Sequence, residues 1–224
     1  MSRGKTKMTL RIAKCGMLLA LILVACGGDG SSNLMNADVD ENVLRDSRDG
    51  QTYKTVQIGS QIWMAENLNY KTEGSYCYED DASNCKIYGR LYTWETAMTV
   101  CPEGFHLPNR AEFDTLFQAV GGKKNASTQL KATSLWMEHD GESGNGTDAY
   151  GFAALPGGER GRAGKYYSLG YDAMFWNSSE DNEYLNAQFP GVFAGYMILM
   201  NKYSNASQGD FYKEYAYSVR CVKD

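Results

Sequence analysis

The hydrophobic and polar positions of residues 46–98 predict a β-hairpin followed by a short helix. Polar and apolar side chains alternate in Thr52–Ile58, Gly59 and Ser60 favour a turn, and Gln61–Ala65 forms the returning strand. Helical spacing then predicts a short helix within residues 88–98, with Leu91, Trp94, Ala97 and Met98 on one face. The domain therefore opens with β-structure.

A stronger helix signal begins at Asn109. This residue can cap a helix, and Glu112 stands three positions later, where a capping box needs its acidic partner. Gly121 and Gly122 then end the helix. The apolar face of this helix consists of Phe113, Leu116, Phe117 and Val120.

The remainder of the chain predicts strands joined by long loops. Short aromatic and apolar runs are separated by turns rich in Gly, Asn, Ser and Asp, and these runs are residues 151–155, 173–176, 192–200 and 215–222. A repeat of fixed length is absent from the sequence, which argues against a propeller or a solenoid.

The first 25 residues have the layout of a secretory signal. Basic residues occur from Arg3 to Lys14, and an apolar run of about ten residues ends at Ala25, too short for the ~20 residues of a spanning helix. Leu23–Cys26 resembles the lipobox of bacterial lipoproteins, whose cysteine is acylated after the signal is removed. We therefore predict a lipid anchor at Cys26. The alternative is an ordinary signal peptide in which Cys26 is incidental.

This leader sets the expected organisation of the chain. Residues 1–25 are the lipoprotein signal peptide, residues 26–45 a flexible acidic tether, and residues 46–224 the folded domain. Gly27, rather than an aspartate, would be the second residue of the mature chain, so an inner-membrane retention signal is missing. We expect an outer-membrane lipoprotein that faces the periplasm or the cell surface and contacts the membrane through its lipid anchor only.

Composition and charge indicate a globular domain that does not bind nucleic acid. The 224 residues are 43% hydrophobic and 22% charged, which suits one domain with a buried core. The net charge is −5 even though residues 1–25 hold five basic residues and no acidic residue. A mature chain this acidic is a poor match for a phosphate backbone.

Four cysteines of the domain have three possible pairings in the oxidising environment that export implies. We favour Cys77 with Cys85, across an acidic loop, and Cys101 with Cys221, which ties the middle of the domain to its last strand. The alternative is a thiolate metal site, but such sites usually combine closely spaced cysteines with nearby histidines. Only His106 and His139 are present, so structural disulfides are favoured.

Six segments, in order along residues 46–224, resemble the Fibrobacter succinogenes major paralogous domain family. They are residues 46–53, 62–70, 88–94, 101–108, 151–157 and 218–223. That family consists of exported proteins and lipoproteins, and the resemblance implies no particular biochemical activity.

Two segments also resemble, more distantly, the sulfatase-modifying and C-type-lectin-like superfamily. Residues 104–113 are similar to its Gly-aromatic-x-Leu-Pro segment, and Ser218–Cys221 is similar to its closing strand. This resemblance implies an α+β, C-type-lectin-like domain, with two helices around a twisted antiparallel sheet, long loops and neighbouring termini. In that fold a bridge between Cys101 and Cys221 would join a helix to the last strand.

The chemistry that these relatives use is incomplete in this chain. Calcium-dependent lectins need several oxygen ligands, and the nearest approach is Asn177, Glu180 and Asp181, for which a solvated turn is the alternative. The formylglycine-generating relatives need a reactive cysteine pair beyond those used in disulfides. We expect His106 to bond the backbone at the edge of the core rather than to act as a base. No cofactor other than a weakly indicated calcium ion is predicted.

Aromatic residues are unusually frequent in the loop-rich half. Tyrosine and tryptophan combine an apolar face with a polar tip, which suits stacking on sugars or docking on proteins, although packing of the core is the alternative use. Arg160 and Arg162 are loop charges that could also bind uronate groups. The aromatic residues of this half include Tyr166, Tyr167, Tyr171, Phe175, Trp176, Tyr184, Phe189, Phe193, Tyr196 and Tyr203.

Together with the predicted lipid anchor, these residues predict a non-catalytic binding or adhesion module of the cell envelope. Its expected partner is polysaccharide or an envelope or extracellular protein, bound through Tyr166, Tyr167, Tyr171 and Trp176 with the neighbouring polar residues. The alternatives are a divergent enzyme on a formylglycine-generating-enzyme-like scaffold and a purely structural envelope protein. Exposure of Trp176 and Tyr171 separates a binder from a structural protein.

Overall fold

The computed structural model describes residues 42–180 and 182–224. The predicted signal peptide, the lipid attachment site Cys26 and most of the predicted tether lie outside the described residues, as does Asp181. In the described part of the chain, no helix has both the length and the apolar character needed to cross a membrane. Val43–Arg45, assigned above to the tether, form a strand because they pair with the strand that follows.

Short strands of the described residues form three sheets, and all pairings between these strands are antiparallel. The strands are β1 (Val43–Arg45), β2 (Thr52–Ile58), β3 (Gln61–Met64), β4 (Ser75–Tyr76), β5 (Leu91–Thr93), β6 (Phe105–His106), β7 (Glu159–Arg160), β8 (Tyr166–Tyr167), β9 (Asp172–Trp176), β10 (Phe193–Met200), β11 (Ser207–Tyr212), β12 (Ala216–Tyr217) and β13 (Val222–Lys223). The sheet orders are β1-β2-β3-β13-β6, β11-β10-β9 and β4-β5-β12-β7-β8. The first strand, β1, and the last strand, β13, therefore belong to the same sheet, in which β13 lies next to β3.

Helices cover or connect these sheets. They are α1 (Ala82–Tyr88), α2 (Trp94–Val100), α3 (Arg110–Ala119), α4 (Ala126–Leu130) and α5 (Glu183–Gln188), with a 3-10 turn at Tyr78–Asp80. The described domain is therefore α+β, with helices and antiparallel sheets mixed along the chain.

The predicted hairpin is confirmed as β2 and β3. In β2 the side chains of Tyr53, Thr55 and Ile58 are buried, and most of the residues between them face solvent. Gly59 has a φ of +61°, and a Cβ there would lie 2.9 Å from Ala119 Cβ at the end of α3. The turn therefore requires glycine both for its backbone conformation and for the approach of the helix.

Helix α3 is also confirmed, together with its capping box. The Glu112 N–H donates to Asn109 Oδ1 (2.9 Å), and the Asn109 N–H donates to Glu112 Oε2 (2.8 Å). The buried face packs on the first sheet, since the rings of Phe113 and Trp63 are 5.3 Å apart. Gly121 and Gly122, with φ of +93° and +94°, follow the helix as expected.

The helix predicted within residues 88–98 begins later than expected. Leu91–Thr93 form β5, between β4 and β12, and the helix starts only at Trp94. Backbone pairing on both sides of Leu91–Thr93 outweighs the helical spacing of the side chains. Likewise, residues 151–155 do not form a regular strand but make an isolated bridge between Ala154 and Lys131.

Strand β9 contributes to both major parts of the core. Ala173 and Phe175 face a cluster with Trp63, Phe113 and Phe152, whereas Met174 and Trp176 face a cluster with Tyr92 and Tyr217. Alternate side chains of a strand point to opposite faces, so this strand joins the two clusters.

Both favoured disulfides are confirmed, Cys77 with Cys85 and Cys101 with Cys221. The second joins the residue after α2 to the residue before β13. The neighbouring Arg220 is fully buried, and burial lowers its pKa to about 9. Its guanidinium donates to Asn67 Oδ1 (2.8 Å) and to the carbonyl oxygens of Met64, Phe152 and Ala153, so it holds the end of the chain to β3 and residues 152–153.

Candidate functional site

Trp176, the aromatic residue we expected to contact a ligand, lies in the core. It is fully buried, its indole N–H donates to the carbonyl oxygen of Tyr92 (2.7 Å), and its ring centre is 4.2 Å from that of Tyr217. The expectation of an exposed Trp176 is therefore wrong, because the alternation along β9 turns this side chain inward.

Asn177 is also buried, and its polar groups support the fold. Its side-chain oxygen accepts a hydrogen bond from the Ser179 N–H (3.0 Å), and its backbone carbonyl accepts one from the Trp94 indole (2.9 Å). Glu180 is exposed and forms an ion pair with Lys213. Across residues 42–180 and 182–224, no three His, Cys, Asp or Glu side chains are grouped as a metal site would require.

Arg160 and Tyr166 pack into a cluster with other aromatic residues. The Arg160 guanidinium lies 3.8 Å from the ring centre of Tyr76, and the Tyr166 ring lies 5.1 Å from that of Tyr78. The Tyr166 hydroxyl donates to Asp80 Oδ1 (2.6 Å), and burial together with this bond raises the pKa of Tyr166 to about 12. Arg160 thus holds β7 against β4, and Tyr166 holds β8 against the 3-10 turn.

Tyr167 and Tyr171 are exposed, as expected for contact residues. Tyr171 lies beside Met137, because Asn201 bonds to the backbone carbonyls of both residues at 2.8 and 3.1 Å. Met137 is itself exposed. The backbones of two exposed residues, Tyr171 and Met137, therefore lie close together.

A larger arrangement, the aromatic network, runs from the core to the surface. Neighbouring ring centres in it are 4.2 to 6.4 Å apart, within the range of favourable aromatic pairs. Exposure rises from 0% at Trp176 and Tyr217 to 49% at Phe189. The network consists of Trp176, Tyr217, Tyr196, Tyr215, Phe211, Tyr212, Phe193 and Phe189.

We define the outer aromatic surface as Phe189, Phe193 and Tyr212, at the solvent-facing end of the network, together with the exposed residues Tyr184 and Val192 of the same stretch of chain. Tyr184 is 70% exposed and Val192 38%. The rings of Phe189 and Phe193 are 5.9 Å apart, and those of Phe193 and Tyr212 are 4.6 Å apart. A buried core therefore supports a row of rings in which Phe189 is exposed and Phe193 and Tyr212 are half-buried.

Polar contacts fix the helix that carries this surface. Asn182 caps α5 by accepting from the Leu185 N–H (3.1 Å), and its amide donates to Asp210 Oδ2 (3.0 Å) on β11. The other oxygen of Asp210 accepts from Arg110 Nη2 (2.7 Å) at the start of α3. These bonds hold α5 against the sheet next to Phe193 and Tyr212.

Two of the residues proposed from sequence border the outer aromatic surface. The Arg162 guanidinium lies 5.2 Å from the Tyr212 ring centre, and Glu180 pairs with Lys213, the residue after Tyr212. Sequence reasoning missed Tyr212 itself. The signal that could have found it is the density of aromatic residues in residues 211–217, where four of seven are Phe or Tyr.

Comparison with known proteins finds a match to one family. The family model for the Fibrobacter succinogenes major domain matches residues 56–223. No curated protein and no solved structure matches the chain.

Proposed function

The chain belongs to the Fibrobacter succinogenes major domain family, and we propose that it is a non-catalytic binding module of the cell envelope. The proposed ligand is polysaccharide, contacted through the outer aromatic surface. The observation that carries this proposal is the row of Phe189, Phe193 and Tyr212, in which Phe189 is exposed and the other two rings are half-buried, supported from behind by the buried part of the aromatic network.

Partly exposed aromatic rings on a rigid support suit this role. Folding usually removes Phe from water, so an exposed Phe beside further rings is typical of a contact surface. Tyr and Phe also lose little side-chain freedom on binding, since each ring turns about two bonds. The C–H faces of sugar rings are apolar, and Arg162 beside Tyr212 adds a donor for hydroxyl or carboxylate groups of the sugar.

The envelope location and the C-type-lectin-like relationship are parts of the same proposal. The predicted signal peptide and the lipobox cysteine Cys26 support an outer-membrane lipoprotein. The shared sheet of β1 and β13 and the bridge from α2 to the last strand support a lectin-like fold. An enzyme of the formylglycine-generating type would need reactive cysteines, whereas Cys77, Cys85, Cys101 and Cys221 are all in disulfides.

A retention experiment tests the proposal. The purified, oxidised full-length protein in detergent is incubated with insoluble plant and bacterial polysaccharides, with calcium and with a chelator. We expect retention on at least one polysaccharide, unchanged by the chelator, and about tenfold weaker for a Phe189→Ala/Tyr212→Ala double variant.

The matched control is Tyr150→Ala/Tyr203→Ala. These tyrosines are 39% and 45% exposed, and neither belongs to the aromatic network. The control should bind as the unmodified protein does. Absence of retention on every polysaccharide, or equal losses in the two double variants, would contradict the proposal.

A further inference from the structure

A cleft of about 510 Å³ lies between residues 70–76 and helix α2, in a part of the chain that contributes no ring to the aromatic network. Its volume is within the ~300–1,000 Å³ of typical small-ligand sites. Four threonines and two tyrosines line it with hydroxyl groups, and Glu73 and Glu95 add two carboxylates. The lining is therefore rich in hydrogen-bonding groups and poor in aliphatic side chains.

Both tyrosines of the cleft are supported by an arginine. The Arg48 guanidinium lies 4.0 Å from the ring centre of Tyr70, and that of Arg160 lies 3.8 Å from the ring centre of Tyr76. Arg48 is itself fixed, since Nε and Nη2 donate to the buried Asp46 (2.8 and 2.6 Å) and Nη2 also donates to the carbonyl oxygen of Val100 (2.8 Å). The Tyr70 ring is thus held in place before any ligand arrives.

A network of short contacts also fixes one wall of the cleft. Thr96 Oγ1 lies 3.0 Å from Thr93 Oγ1 and donates to the carbonyl oxygen of Glu73 (3.2 Å). Gly74 has a φ of +70°, and a Cβ at that position would lie 2.2 Å from Thr96 Oγ1. Any larger residue at position 74 would push α2 and residues 72–76 apart, so the glycine allows the wall to form.

The charge of the lining selects against anions. Arg48, the one basic residue that lines the cleft, is paired with Asp46 (2.6 Å). Glu73 and Glu95 are exposed in the lining and outnumber a further guanidinium beside the cleft, that of Arg160 against the Tyr76 ring. A uronate or phosphate group would be repelled, whereas a neutral polyol could donate its hydroxyls to these carboxylates.

We propose that this cleft is a second binding site, for a short segment of a neutral oligosaccharide. The rings of Tyr70 and Tyr76 offer an aromatic contact to the sugar, Glu73 and Glu95 accept from its hydroxyl groups, and the threonine hydroxyls complete the hydrogen bonding. The cleft shares no lining residue with the outer aromatic surface, so this proposal does not rest on the function proposed above.

Calorimetric titration of the full-length protein in detergent tests this site. The probes are cellohexaose, xylohexaose and chitohexaose as neutral hexasaccharides, with hexagalacturonate as the anionic counterpart. We expect at least one neutral probe to bind and hexagalacturonate to bind at least about tenfold more weakly. A Glu95→Gln/Thr99→Val double variant should weaken the neutral probe about tenfold, since a charged and a neutral hydrogen bond are removed.

Two control variants make the result specific. Thr115→Val removes an exposed hydroxyl of α3 that donates to a backbone carbonyl of its own helix, as Thr99 does in α2 (3.0 and 3.4 Å). Phe189→Ala/Tyr212→Ala removes two rings of the outer aromatic surface. Both control variants should bind the neutral hexasaccharide as the unmodified protein does.

Three results would overturn the site. They are absence of binding to all neutral probes, equal affinity for hexagalacturonate, and unchanged affinity in Glu95→Gln/Thr99→Val. Loss of soluble binding in Phe189→Ala/Tyr212→Ala instead would assign the oligosaccharide to the outer aromatic surface. Retention on insoluble polysaccharide is a separate measurement, so failure of one proposal is distinguishable from failure of the other.

Discussion

His106 is held between two carboxylates from distant parts of the chain. Its Nδ1 lies 2.7 Å from Asp224 Oδ1, and its Nε2 lies 2.8 Å from Glu112 Oε1. We expected a bond to the backbone, and that expectation is wrong. Burial by itself lowers the pKa of His106, but the bonds to Asp224 and Glu112 outweigh it, so the pKa is raised above 6.5. The imidazolium therefore ties the last residue to the start of α3.

Stability should depend on the protonation of His106. Because its pKa is higher in the folded protein, its contribution is fully present below about pH 6.5 and is lost as the pH rises through the folded-state pKa. The side chain is partly exposed, so we expect about 1 kcal/mol or less. Urea unfolding at pH 5.5 and 8.5 should show that, with rising pH, the unmodified protein loses more stability than His106→Asn does, because the two proteins share every other titrating group. The same loss in His106→Asn would contradict the prediction.

The N-terminal cap of α3 allows a stability test at the scale of a single helix. Asn109→Ala removes the bond to the Glu112 N–H and should lower the free energy of unfolding by about 1 kcal/mol, measured by urea unfolding. Asn125 is the control, since it precedes α4 and makes no side-chain cap bond. Asn125→Ala should change stability by only a few tenths of a kcal/mol. Equal losses of stability in Asn109→Ala and Asn125→Ala would contradict a specific contribution of the capping box.

Secondary-structure elements whose conformation is determined by neighbouring residues were predictable from sequence. The hairpin at residues 52–64 and helix α3 follow from alternation, turn residues and a capping box that lie within a few positions of one another. Leu91–Thr93 were not predictable, because β4 and β12 decide their conformation from outside the segment. The sequence of α5 lacks the apolar face that identifies α3, and none of the residues of α5 is buried.

The candidate site was predictable only as an excess of aromatic residues. Sequence cannot tell that Trp176 is buried and Phe189 exposed, since this depends on the order of the sheet, with β10 between β9 and β11. Arg162 contacts Tyr212, which lies fifty positions later in the sequence. Tyr70 and Thr99, also distant in sequence, line the same cleft. Contacts of this kind come from topology rather than from local pattern.

At the scale of the whole molecule, the two disulfides should differ in their contribution to stability. The sequence separation is 120 between Cys101 and Cys221 but only 8 between Cys77 and Cys85. Loop-closure entropy predicts contributions of about 5 and about 2.5 kcal/mol. Urea unfolding should therefore show a larger loss for Cys101→Ala/Cys221→Ala than for Cys77→Ala/Cys85→Ala. Equal losses, or the reverse order, would contradict this entropic account.

The Cys101–Cys221 bond also makes a covalent ring of the chain between these residues. All eight residues of the aromatic network lie inside that ring, between positions 176 and 217. A protease that cuts one peptide bond in the long loops of residues 131–171 therefore opens the ring but releases no fragment. On a cell surface exposed to secreted proteases, the outer aromatic surface would stay attached to its domain after such a cut.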